Sequence, residues 1–194
     1  MKLFGLIFVF ACAFISPAAQ ATPIFFTAHL TGPSESPVNA SPGIGDALIQ
    51  FDTAAHTLSV NVTFSGLTGT TTASHIHCCT TIPGVSTAIV ATEVPFFNSF
   101  PIGVTSGSYT HLFDMTQASS FNPAFVTANG GTVASAETAL FAGSLAGSAY
   151  LNIHTTTFGG GEIRGFLVRQ VPEPASLALL GLGLLGIGFS RRKS

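Results

Sequence analysis

Tryptophan is absent and charge is scarce. Ionised side chains make up 7% of the 194 residues, against roughly 25% in an average soluble domain. Only six residues are Lys or Arg, and Lys2, Arg191, Arg192 and Lys193 lie at the two ends. Between the ends stand Arg164 and Arg169 against seven carboxylates, a net charge near −5 over residues 22–171. No basic stripe can form, which excludes binding along a nucleic-acid backbone. So little charge beside 46% apolar residues also excludes a disordered, solvating chain. A phosphate-binding Walker loop, a G-x-S-x-G elbow and an H-E-x-x-H helix are all missing. What remains is one domain of ordinary size, in a chain rich in Phe, with 18 over its full length, and in Gly, Ser and Thr, as in exported β-proteins.

Both ends read as addresses. Lys2 precedes the apolar run Leu3–Ile15, and Ala19-Gln20-Ala21 follows. A basic start, a short apolar stretch and an A-x-A site make a secretory signal, with cleavage expected before Thr22. At the other end, Val171-Pro172-Glu173-Pro174 leads into an apolar run from Ala175 to Phe189 and then Arg191-Arg192-Lys193. As a helix that run reaches ~22 Å, short of a hydrocarbon core of ~30 Å. It is therefore a marginal transmembrane segment, with its basic end held on the cytoplasmic side. The order Pro-Glu-Pro, short apolar helix, basic cluster over residues 172–194 closely resembles the bacterial PEP-CTERM sorting signal. The resemblance implies a Gram-negative, exopolysaccharide-making host and an exosortase in the inner membrane that removes the tail. The expected product is extracellular or attached to the cell surface, with membrane contact only through the uncleaved tail.

Residues 22–171 carry period-2 patterns broken by turn residues. Phe26, Ala28 and Leu30 alternate with Thr27, His29 and Thr31, and Leu58, Val60, Val62 and Phe64 repeat the pattern. Asp46–Asp52, Ser74–Cys78, Ser108–Phe113, Ala149–Thr155 and Glu162–Val168 are further strand candidates. Gly32-Pro33, Pro42-Gly43 and Gly159–Gly161 punctuate them. Many short strands of this kind predict a mainly β, antiparallel sandwich or barrel, with one short helix over Ser135–Leu145. The predicted core is Phe26, Leu30, Phe51, Leu58, Val60, Val62, Ile76, Leu151, Ile153, Ile163 and Leu167.

The candidate site is histidine. In a strand, His75 and His77 point to one face about 7 Å apart, close enough for both imidazoles to meet one metal at about 2.1 Å. Tyr150, Asn152 and His154 likewise share a face, so a neighbouring strand would bring His154 as a third nitrogen. The metal site predicted from this spacing is His75, His77 and His154, with His29 and His111 in reserve; His with a cysteine beside it would favour copper or zinc. The competing reading is a structural hydrogen-bond network. An ordinary imidazole pKa predicts affinity that falls as pH drops through ~6.5. Glu162 and Arg164, two apart, are expected near the cluster and paired with each other or with a neighbouring strand. His56 is expected in a turn.

Phe26-x-Ala28-x-Leu30-x-Gly32, Glu35-x-Pro37, His75-Ile76-His77, Tyr150-Leu151-Asn152-Ile153-His154-Thr155 and Gly161-Glu162-Ile163-Arg164-Gly165 occur in that order. The set resembles the CHRD domain, first described in chordin and found widely in bacteria, over roughly residues 25–168. The resemblance implies an Ig-like β-sandwich related to copper/zinc superoxide dismutase. Chordin binds extracellular growth factors, a partner that nothing here carries over. The chain departs from the pattern where members often have Gly: it has Cys78-Cys79. With Cys12 in the leader, these two are the cysteines of the mature chain. An exported pair can close a vicinal disulfide, stay as free or intermolecular thiols, or lend a thiolate to the histidines. The resulting functional expectation is an exported, non-enzymatic binding or structural module of the cell surface or exopolysaccharide matrix, holding a metal through its histidines. Its partners would be an exosortase, exopolysaccharide or surface proteins. The alternative is a copper/zinc redox enzyme of the superoxide-dismutase type.

Overall fold

The structure, a computed structural model, describes residues 22–171. Eight strands run in chain order: β1 (Ile24–Thr31), β2 (Ile44–Asp52), β3 (Thr57–Ser65), β4 (Thr71–His77), β5 (Gly107–Asp114), β6 (Tyr150–Thr155), β7 (Ile163–Phe166) and β8 (Val168–Arg169). They form one antiparallel path, β4-β6-β7-β1-β2-β3-β5, with β8 on β1. The chain is therefore mainly β, a curled antiparallel sheet with few helices. The expected division into two separate sheets is not drawn by the hydrogen bonding. β7 and its continuation β8 instead join β1 along a seam of one register, through Thr31↔Arg164, Thr27↔Val168 and Phe26↔Arg169. Gly165 sits at that seam because a Cβ there would lie 2.5 Å from the His29 carbonyl oxygen.

Alternation explains the interior. All eleven predicted core residues are 2% exposed or less. Phe97, Phe113, Phe121 and Phe125 complete the core. Ile153→Ala removes a fully buried branched chain, and should cost about 2–5 kcal/mol in denaturant unfolding.

The predicted helix is present as α2 (Val133–Leu145), begun by a capping box between Thr132 and Ser135. A second helix, α1 (Pro123–Ala128), was not expected; Asn122 caps it and Pro123 starts it. Six residues are too few for a helical repeat to register. Among the described residues no helix is long and apolar enough to cross a membrane. The predicted leader and the apolar run 175–189 lie outside the described residues.

Glu162 belongs to the scaffold. Its carboxylate accepts from Ser41 Oγ (2.5 Å), Thr155 Oγ1 (2.6 Å), Thr68 N–H (2.5 Å) and Gly69 N–H (3.0 Å). Burial alone would raise its pKa, but these four donors outweigh burial and hold it below the usual value. Of the two expected pairings, the one between Glu162 and Arg164 is corrected, while Glu162 does pair with a neighbouring strand through Thr155 of β6. Glu162 precedes β7, which starts at Ile163, so strand alternation does not place the two on one face. Glu162→Ala leaves these buried donors unmet and should cost about 2–4 kcal/mol by urea unfolding.

Candidate metal centre

β4 and β6 are antiparallel neighbours, with His75 opposite Asn152 and His77 opposite Tyr150. Paired residues share a face, so Ile76, Leu151 and Ile153 enter the core. The opposite face carries His75, His77, Tyr150, Asn152 and His154, and β7 adds Arg164 opposite Asn152. The connection 78–106 returns along β4, bonded through Ala91 N to Ile76 O (2.9 Å) and Phe97 N to Ser74 O (3.2 Å). It closes over the histidines, leaving His75 6% and His77 8% exposed.

One candidate ligand nitrogen from each of His75, His77 and His154 lies within 4.8 Å of the other two. Ring centroids are 5.8 Å apart for 75–77, 5.3 Å for 75–154 and 5.8 Å for 77–154. The remaining nitrogen of each ring faces a backbone carbonyl. His75 Nε2 meets Pro95 O at 2.7 Å, His77 Nδ1 meets Ala88 O at 2.9 Å, and His154 Nδ1 meets Gly159 O at 3.0 Å. A carbonyl only accepts, so each of those ring nitrogens must carry the proton. In a neutral ring the other nitrogen is then a lone pair. Those nitrogens, His75 Nδ1, His77 Nε2 and His154 Nε2, are buried and have no hydrogen-bond partner. Three carbonyls thus fix three tautomers, the arrangement that orients metal-ligating imidazoles. Three neutral nitrogens suit zinc or copper. The donor set fits the copper or zinc expected from its ligand types.

Burial lowers the pKa of His75 and His77 from 6.5 to about 4, against the raising effect of their carbonyl partners. Burial lowers that of His154 as well. The expectation of affinity lost through pH 6.5 is corrected accordingly. His75 and His77 hold no proton for a metal to displace until the pH nears 4.

Arg164 flanks the centre. It donates from Nε to Ser34 O and from Nη1 to Ser86 O (2.7 Å), and its guanidinium lies 4.8 Å from the Tyr150 ring centroid. Tyr150 in turn stacks on His77 at 4.8 Å. The ionic neighbour of Arg164 is Glu35, 3.9 Å away. Burial raises the Glu35 pKa to about 7, more than the Arg164 charge lowers it. Glu35 borders a cavity of about 240 Å³ with Phe158 and Gly161.

The reserve residues stand apart. His29 Nδ1 pairs with Asp46 on the exposed side of β1 and β2 (2.8 Å), and His111 packs on Phe113 in β5. His56 sits in the β2–β3 turn, bonded to Glu137 (2.8 Å). Cys78 and Cys79 form a vicinal disulfide. Sequence reasoning missed the carbonyls of Ala88, Pro95 and Gly159. Backbone acceptors in an aperiodic loop leave no residue-type signal.

A model of the CHRD domain matches residues 26–167. The chain belongs to the CHRD domain family. The matched region holds all three histidines, Arg164 and the disulfide of this CHRD domain. A PEP-CTERM protein-sorting motif matches residues 170–193. That motif is processed by exosortase and implies export with surface- or membrane-associated sorting. Neither a curated protein nor a solved structure matches the chain.

Proposed function

We propose that this CHRD protein is a surface-associated, non-enzymatic module that holds one zinc or copper ion on His75, His77 and His154. The carrying observation is the set of three buried, unpartnered imidazole nitrogens, each fixed as an acceptor by a carbonyl behind it. A purely structural network would have used those nitrogens, because a buried polar atom without a partner costs about 1–3 kcal/mol. In this reading the leader ends before Thr22, the domain spans 22–171, and an exosortase removes the tail after Pro174. Exopolysaccharide or surface proteins are the partners of the released module. The test is elemental analysis of the chain secreted into an oxidising compartment. Stoichiometric zinc or copper supports the reading, and metal-free protein after zinc loading and gel filtration refutes it. Intact mass from the native host checks the ends, with the full-length mass as the contrary result.

A copper/zinc redox enzyme of the superoxide-dismutase type is the second reading. Three protein ligands leave a coordination position open, as catalytic sites do. A superoxide assay on the copper-loaded chain separates the two, since activity well above that of free copper would favour the enzyme.

A further inference from the structure

We propose that the Cys78–Cys79 disulfide is a redox-active site, and that its reduction by a small thiol releases the metal held by His75, His77 and His154. The inference rests on the metal reading above and adds its regulation. Cys78 directly follows the ligand His77. The two are held by the same strip of chain: Cys78 N–H donates to Ile89 O (3.1 Å), His77 bridges Val90, and the His77 ring bonds Ala88 O. On the far side, Gly143 of α2 lies so close that a Cβ there would collide with both sulfurs. The disulfide is therefore wedged between a helix and a ligand. Cys78 is 1% exposed whereas Cys79 is solvent-exposed, so attack by a thiol is directed to Cys79.

The chemistry balances with two equivalents of thiol. A thiolate attacks Cys79 Sγ, the S–S bond breaks, and Cys78 leaves and takes up a proton. A second thiol then displaces Cys79 from the mixed disulfide. The products are two cysteine thiols and one oxidised thiol pair. Two thiol sulfurs cannot remain at bonding distance. Neither sulfur can move toward Gly143 of α2, so in this proposal part of the separation passes to the backbone that Cys78 shares with His77. A metal–nitrogen bond is short and directional, at about 2.0–2.1 Å. A small movement of His77 therefore suffices to lose the ion.

The test titrates the full chain with zinc sulfate, oxidised and after reduction in a glutathione buffer, with free thiols counted and the sheet signal followed by circular dichroism. The expected result is zinc affinity at least tenfold weaker in the reduced chain, restored on reoxidation. By reciprocity, saturating zinc should lower the disulfide's reduction potential by about 30 mV for each tenfold. Cys79→Ala, with no sulfur pair to separate, should bind zinc equally with and without thiol. Equal or tighter zinc binding by the reduced wild-type chain overturns the redox proposal and leaves the metal site standing. Loss of the sheet signal on reduction overturns it too, because release would then be global unfolding. No zinc bound by the oxidised chain overturns the metal reading and this proposal together.

Discussion

Replacing His75, His77 and His154 together with alanine should leave a chain that retains no zinc or copper through gel filtration while keeping its sheet. The metal is lost because the three histidines supply every candidate ligand nitrogen of the cluster. The fold survives because the rings lie on the face of β4 and β6 away from Ile76, Leu151 and Ile153. Removing the rings also removes three buried nitrogens that had no partner, each a cost of about 1–3 kcal/mol. That gain offsets part of the packing lost around His77 and Tyr150. Single variants should each weaken zinc binding strongly, because two imidazoles cannot hold the ion as three do. A triple variant that still carries stoichiometric metal would place the ion elsewhere and end the proposed centre.

Acidifying the metal-free chain from pH 7 to pH 4.5 should cost it stability, by about 3 kcal/mol or more. In that window unfolded histidines protonate near 6.5, while folded His75 and His77 stay neutral down to about 4. The unfolded state binds more protons, so stability falls with pH. Each of these rings contributes about 3 kcal/mol, and His154 acts in the same direction. Glu35 opposes them. Its folded pKa of about 7 lies above its ordinary 4.5, so the folded chain holds the extra proton and gains about 3 kcal/mol as pH falls. Three rings against one carboxyl leave a net loss. Below pH 4.5 the depressed pKa of Glu162 adds a further loss. Urea midpoints at pH 7 and pH 4.5 should therefore differ by about 1–3 M. The triple-alanine variant, which keeps only the Glu35 term in this window, should instead gain stability on acidification. A flat wild-type midpoint would show that the histidines are not held neutral by the fold.

Much of this was legible in the residues. Strand parity placed Phe26, Leu58, Ile76 and Ile153 inside, and put His75 with His77 and Asn152 with His154 on their faces. Parity says nothing about which strands pair, so the junction of β4 with β6 needed the structure. It also fails at a strand end, which is why Glu162 parts from Arg164. Helix α1 was lost because six residues with apolar members look like a strand. The acid range of the histidines was misjudged because burial comes from the connection 78–106, whose sequence has no period to read. The three carbonyls that fix the tautomers belong to backbone, where residue identity carries no message.

The pairing of β4 with β6 also sets an order of events. His75 and His154 come from opposite halves of the described chain, and contacts of such separation form late and slowly. A chain still extended for passage across a membrane presents only the His75–His77 pair, without its third nitrogen or its fixed tautomers. The centre thus comes into being only after the last strands dock. On the proposed reading an ion is taken from the compartment where folding finishes, so the supply of metal outside the cytoplasm would decide which ion fills the centre.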